Sequence, residues 1–503
     1  MYYNLLIISF LFLKNIFLKK TKLFQTLLIL SEKELLLFKK WLDSPFHNNN
    51  EQVKKLYQII WKHAPSFESK TLEKSVIYKK IYPKMVYNEF KINNIISLTT
   101  RQLFDFLAYH NYKNSSTLSE ICLMDELQKR DLDQLMLQEG KRLAKAKTQS
   151  IIETASTFFD EYLYYKQLDE HFLKKPKRAY DENLQLKNNN LDLFYLTTKL
   201  KVACDMISRN TVIQANYEAY HFQDLEKWLL NADEKVVIDY KKYPAIAVYY
   251  QAYRTIKDGK LEDYEVLKDL LATNLHIFPN VELSRIYDYV LNFCIRQINQ
   301  GKAEFYREIL DVYQFLLENR VIFQKDYLAQ WDYKNIITVG IRIGETEWTE
   351  NFINEYKDFL PPKDRENAFV YNKAAFYYAT KAYKKSLQLL HEVKFTDTSY
   401  HLGAKIIQLK SFYELEEEEP FYALIDAFKI YILRSKDISH YRKQANLNLI
   451  KFAKRIFKLK EQHRFISPSI FNQKWESVND RLSKMENVAN KSWLEECLVK
   501  IKR

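Results

Sequence analysis

Glycine is nearly missing from this chain. Only 6 of its 503 residues are glycine and 10 are proline. An α/β enzyme of this length needs many more glycines for its turns and phosphate loops, so the shortage points to an all-helical protein. Cysteine is scarce as well. Cys122, Cys204, Cys294 and Cys497 stand far apart with no C-x-x-C, which argues against a disulfide framework. They fit a reducing compartment, the cytoplasm, as small buried apolar residues. Long apolar runs are absent too. "LLIISFLFL" (5–13) resembles a signal-peptide core, but no Lys or Arg precedes it and no small-x-small site follows. It is also shorter than the roughly 20 residues that span a bilayer. It reads as a helical extension or a misassigned start, against a signal or anchor.

The familiar catalytic signatures are lacking. There is no G-x-x-x-x-G-K-[ST] phosphate loop, no G-x-G-x-x-G and no G-x-S-x-G elbow. His391-Glu392 begins like a zinc motif, but position 395 is Phe. "GIRIG" (Gly340–Gly344) is a G-x-x-x-G that ends an amphipathic helix, where it suits close helix packing rather than membrane dimerisation. No metal, cofactor or catalytic residue is assigned. A hydrolase with an unrecognised site has no residue to support it.

What is present suits a large core. Hydrophobic residues make up 47% of the chain and aromatics 15%, which argues against disorder. The net charge of +13 sits at the ends. Residues 1–100 hold 16 Lys/Arg against 7 Asp/Glu, and residues 451–503 hold 13 against 6. Basic ends can meet nucleic acid or an acidic protein, or they are solvated lysines on helix faces.

Four segments follow along the chain. Residues 1–24 form the apolar and basic extension. Residues 25–112 form a small helical domain. Its first clear helix follows Ser31 and Glu34, a capping-box pattern, with Leu35, Phe38, Trp41 and Leu42 on one stripe and Ser44-Pro45 ending it. Asn48–Asn50 then cap a second helix, and further patterns cover 71–81 and 88–109. The polar stretch Asn111–Glu120 marks the boundary. Residues 117–460 repeat, and 461–503 form a basic helical tail.

The repeat shows in five turns. "DGKLEDY", "NQGKAEF", "RIGETEW", "ATKAY" and "EEEEPF" end at Tyr264, Phe305, Trp348, Tyr383 and Phe421, spaced by 41, 43, 35 and 38 residues. That is the period of helix-pair repeats, tetratricopeptide or slightly longer. Gly259, Gly301 and Gly344 fall four or five residues before their aromatics, as left-handed helix-ending residues should. Glu417 occupies the corresponding slot in the last turn, with Pro420 as a first helical residue. The Glu416–Glu419 run is thus expected to be a turn near a helix amino terminus rather than a metal or catalytic cluster.

Several phrases carry a family likeness: "LSEKELLLFKKWLDSPFHNNN" (30–50), "LDLFYLTTKLKVACDMISRN" (191–210), "NFCIRQINQGKAEFYREILDVYQFLLE" (292–318), "YKNIITVGIRIGETEWTENFINEYKDFLP" (333–361) and "AKIIQLKSFYELEEEEPFYALIDAFKIYILRSKDIS" (404–439). The chain resembles a family of tetratricopeptide-like helical-repeat proteins common in Bacteroidota bacteria, over most of 27–460. The resemblance implies a right-handed α-solenoid of helix pairs and brings no established activity. Where the family has a turn glycine, this chain has Glu417, which implies a looser turn.

Counting back thirteen residues from the aromatics reaches Gln251, Asn292, Asn335 and Gln408; counting eleven in the shorter Tyr383 turn reaches Asn372. An amide both donates and accepts, so a ladder of them could hold an extended peptide. The resemblance implies the same, since tetratricopeptide first helices line a groove and an asparagine there binds peptide backbone or carboxylate. Arg254, Arg296, Arg342 and Lys410 lie nearby and could hold an acidic partner. The alternative is a structural ladder, each amide satisfying a neighbouring helix backbone. Tyr249, Tyr250, Tyr253, Phe376, Tyr377 and Tyr378 read as inter-helix packing rather than nucleobase stacking. "KFAKRIFKLKEQHRF" (451–465) is a nucleic-acid candidate, or a last solenoid helix with a cationic outer face. The leading expectation is a cytoplasmic, non-enzymatic scaffold or adaptor binding a protein or peptide. The alternative is a nucleic-acid-associated regulator acting through the basic ends.

Overall fold

A computed structural model describes residues 21–65, 67, 72–114, 116–147, 152–174, 179–213, 217, 243–392 and 397–502. The "LLIISFLFL" segment lies outside these. The regular structure in the described residues is helical, apart from isolated bridge residues such as the pair Gln324 and Tyr327. No helix among them is long and apolar enough to cross a membrane. They divide into two compact units, one formed within Met1–Ile151 and Ala155–Phe194, the other within Ile152–Thr154 and Tyr195–Arg503.

The first unit opens with α1 (Lys22–Leu27), α2 (Glu32–Asp43), α3 (Glu51–Trp61), α4 (Lys74–Ile81) and α5 (Glu89–Asn114). The expected caps are present. Ser31 N–H donates to Glu34 Oε2 at 2.8 Å while Glu34 N–H donates to Ser31 Oγ at 3.3 Å. Asn50 Oδ1 accepts from the amides of Gln52 and Val53 at 3.0 and 3.2 Å. Each satisfied donor is one fewer orphan at a helix start. Leu35, Phe38 and Leu42 are buried with Leu56, Tyr57, Ile60, Ile92 and Phe106 in one core. Phe24 and Leu27 belong to that core as well, so α1 is part of the unit. α6 (Ser116–Lys129), α7 (Asp133–Lys147) and α8 (Ala155–Leu173) pack a second, smaller core around Met124, Met136 and Tyr164. The polar stretch Asn111–Glu120 runs through the end of α5 and the start of α6, inside this unit.

α9 (Glu182–Ile213) contributes to both units. The second unit continues with α10 (Pro244–Asp258), α11 (Leu261–Asn274), α12 (Asn280–Asn299), α13 (Phe305–Glu318), α14 (Gln330–Ile343), α15 (Thr346–Glu355), α16 (Arg365–Ala379), α17 (Tyr383–Glu392), α18 (Thr398–Leu415) and α19 (Glu418–Arg434). α20 (His440–Gln462), α21 (Pro468–Ser483) and α22 (Lys491–Lys502) close it. Each helix packs on the one before or after it, and α10 also touches α12, α14 touches α16, and α16 touches α18.

The five repeated turns share one backbone device. Gly259, Gly301 and Gly344 have φ of 69°, 93° and 82°, the left-handed conformation that ends a helix. Lys381 and Glu416 hold the same position in the other two turns, with φ of 63° and 58°. The expected slot at Glu417 is therefore corrected by one residue. Glu416 is the left-handed residue, and Glu417 is the extended cap that precedes α19. Pro420 sits third in α19 rather than first, still within the turn whose N–H groups have no intrahelical acceptor. The turn aromatics then lock neighbours together. Tyr264 stacks on Phe293 at 4.6 Å, and Phe421 on Phe457 at 4.2 Å.

The segment expected to be a tail is part of the core. Trp493, Leu494, Cys497 and Leu498 are buried with Tyr413, Phe428, Phe452 and Phe457. Trp475 Nε1 donates to Leu498 O at 2.9 Å. Tyr249, Tyr253 and Phe376 are buried, in keeping with packing roles. All four cysteines are free thiols, three buried and Cys122 exposed.

Candidate functional site

The amides singled out from the sequence do not form five equivalent rungs. Gln251 is buried, and its Nε2 donates to Asp263 O at 2.8 Å and Oδ1 at 3.1 Å. Arg254 pairs with the same carboxylate at 2.9 Å. Both residues therefore pin the start of α11 to α10. Asn372 is buried and donates to Ala368 O of its own helix at 2.8 Å. Gln408 is buried and accepts from Lys405 Nζ at 3.2 Å. Asn292 is half-buried, and Asn335 is exposed. Measured from the left-handed turn residue, Gln251 and Gln408 lie eight positions back and the other three nine. One residue turns a side chain about 100° around its helix, so a shared count from the aromatic is not a shared direction.

The cations divide in the same way. Arg296 Nη1 donates to Ile256 O at 3.1 Å and Lys257 O at 3.4 Å, closing the end of α10. It reaches them because Gly259 has no Cβ, which would sit 2.9 Å from the guanidinium carbon. Lys410 Nζ donates to Asn490 Oδ1 at 2.7 Å and lies 5.4 Å from the centre of the Trp493 ring. Burial pulls its pKa down to about 8. Arg342 is exposed.

A different set converges on α14, α16 and α18. Trp331 and Lys334 lie one turn apart on α14, Tyr371 is on α16 and Tyr400 on α18. Trp331 stacks on Tyr400 with ring centres 5.7 Å apart and planes 10° from parallel. Tyr371 packs on Tyr400 at 5.1 Å. Lys334 Nζ lies 5.7 Å from the centre of the Trp331 ring and 5.3 Å from that of Tyr371. Trp331 keeps 46% of its surface exposed, whereas Tyr400 keeps 1%. The buried Tyr400 Oη has no hydrogen-bond partner among the described residues. Gly403 makes room for this cluster, since a Cβ there would lie 2.5 Å from Tyr371 Cε2. Burial lowers the Lys334 pKa, Arg442 of α20 lowers it further, and Asp397 opposes both.

Carboxylates stand on α9, α12 and α14. Asp205 accepts from Tyr289 Oη at 2.7 Å. Asp288 is exposed, yet desolvation by the protein around its carboxyl raises its pKa to about 6, and Asp332 and Asp205 push it the same way against Arg285. Burial also raises Asp332. Asp205, Asp288 and Asp332 thus act on one another across α9, α12 and α14, while Lys334 of α14 and Arg442 of α20 lie near each other. Among the described residues no group of three or more His, Cys, Asp or Glu is placed to hold a metal ion.

Reading the sequence alone missed Trp331, Lys334, Tyr371 and Tyr400. They share no spacing, because the cluster forms across three helices. The only local signals were a tryptophan one turn before a lysine and a glycine in the middle of a helix.

No family model matches this chain, and neither the curated proteins nor the solved structures contain a match.

Proposed function

We propose that this chain is a non-enzymatic scaffold, a right-handed tetratricopeptide-like solenoid of helix pairs whose first-helix face takes a protein or peptide partner. The repeated left-handed turns and the packing of first helix on first helix support the solenoid reading. The observation that carries the binding reading is the Trp331–Lys334–Tyr371–Tyr400 cluster. Interface energy concentrates in Trp, Tyr and Arg anchors at desolvated centres. Here a half-exposed indole lies over a buried phenol that lacks an acceptor. A partner carboxylate docking at the exposed indole would meet Lys334 and Arg442 beside it. The partner's other end would carry cations toward Asp288 and Asp332. An acidic partner thus fits one end of the face only. The buried free thiols suit a reducing, cytoplasmic setting.

The test is site-specific crosslinking in cells. A photoreactive phenylalanine at position 331 should capture a discrete protein that survives nuclease, and one at exposed Ile430 should not. Lys334→Glu should abolish the capture without lowering the melting temperature. Equal capture from both positions would overturn the assignment.

A further inference from the structure

The carboxy-terminal helices hold a second feature, separate from the first-helix face. α20 and α21 flank a cavity of about 520 Å³ lined by Arg455, Lys458, Gln462, Lys474, Ser477 and Arg481, with Leu459 and Val478 also in the wall. This volume falls in the range of small-molecule sites, roughly 300–1,000 Å³. Four cations line it and no carboxylate does. None of the four makes an ion pair among the described residues. Of the nearby acids, Asp480 pairs with Lys484 at 2.8 Å, Glu461 accepts from Tyr422 Oη at 3.1 Å and feels Lys458 one turn away, and Glu476 is exposed on α21. Lys474 Nζ donates to the neutral Gln462 Oε1 at 2.9 Å.

Like charges repel, so folding alone gives no reason to gather four cations around one groove. The lining alternates with the helix period on both sides. Positions 455, 458, 459 and 462 face 474, 477, 478 and 481. Arg455 and Gln462 are two turns apart, about 10 Å along α20. Cations at both ends of such a groove suit an anion with charge at more than one point. Arginine adds the fork geometry that matches phosphate oxygens, and Gln473 and Ser477 add neutral donors. No aromatic ring lines the cavity, so the stacking platform that single-stranded nucleic acid uses is missing.

We infer that the groove between α20 and α21 binds a small anion carrying two or more phosphate groups. Isothermal titration of the full chain with inorganic tripolyphosphate tests this, with orthophosphate and a single-stranded RNA oligonucleotide as further arms. Saturable tripolyphosphate binding is expected, at least tenfold tighter than orthophosphate and weakened by added salt. Arg455→Gln with Arg481→Gln should weaken it at least tenfold, while Lys429→Gln, exposed on α19 outside the groove, should change it less than twofold. If the double variant lowers the melting temperature, the single Lys474→Gln replaces it and should weaken binding at least threefold. Absence of saturation, equal affinity for orthophosphate, or tighter binding of RNA than of tripolyphosphate would each overturn the inference.

Discussion

Gly340 sits in α14 where it meets α15, and replacing it with alanine sets two effects of opposite sign against each other. Alanine in place of glycine within a helix favours folding by about 1 kcal/mol. However, a Cβ at 340 would come well inside 3.0 Å of Thr349 Oγ1, a distance that real Cβ atoms essentially never reach. Thr349 cannot easily yield. It is fully buried, and its hydroxyl donates to Glu345 O at 2.5 Å across the turn that starts α15. Overpacking costs roughly 1–3 kcal/mol, and loss of that hydrogen bond about 1 more. The clash should win, with a net destabilisation of about 1–3 kcal/mol. Urea unfolding gives the global change, and hydrogen exchange across 330–355 localises it. The decisive comparison is a second background. Thr349→Ala removes the clashing oxygen and leaves a Cβ 3.4 Å away, an ordinary contact. There Gly340→Ala should be neutral or stabilising by up to about 1 kcal/mol. If Gly340→Ala stabilises the wild-type background, or shifts both backgrounds equally, the packing argument is wrong.

Gly403→Ala should push the Tyr371 ring away from α18, so crosslinking from position 331 should fall at least fivefold in protein that still melts cooperatively. Asp288 carries a raised folded pKa of about 6, so it adds stability at low pH that is lost as pH rises from about 4 to 6. Asp288→Asn should therefore stabilise at pH 7 and have little effect at pH 4, read from paired urea midpoints. Lys410 has the opposite linkage. Its folded pKa of about 8 lies below its unfolded value, so its buried charge costs stability below pH 8 and is relieved as pH climbs toward 10.5. The stability difference between wild type and Lys410→Met should move toward wild type across that window. Glu416→Gly removes a left-handed strain of roughly 1–2 kcal/mol and an exposed 2.8 Å pair with Lys460 of about 0–1. The expected result is a gain of about 1 kcal/mol or none, measured by denaturation midpoint.

The sequence marked helix ends well because turns are local. Ser31 with Glu34, Asn50, Gly259, Gly301 and Gly344 each act on a backbone group within a few residues. The error at Glu416 and Glu417 was also local, since the glycine that would have marked the left-handed position is absent there. The candidate site was less legible. Gln251 and Gln408 were found in the right helices, but their direction depends on a rotation that a count from the turn aromatic does not fix. Lys410 looked like a surface cation until Trp493 and Asn490 folded back over it from eighty residues away. The Trp331 cluster and the α20–α21 groove depend on which helices become neighbours, and no spacing in the chain records that.

The stacking of Trp331 on Tyr400 joins α14 to α18 and passes over α16 between them. That contact works like a latch between two helices that are not neighbours in sequence. Any motion that parts α14 from α18 must pull the two rings apart, and any ligand that holds the rings together must resist that motion. Occupancy and stiffness then become two readings of one equilibrium. Pulling on the helices flanking α14 and α18 would weaken a partner's grip, and a bound partner would make this stretch of the chain the hardest to extend.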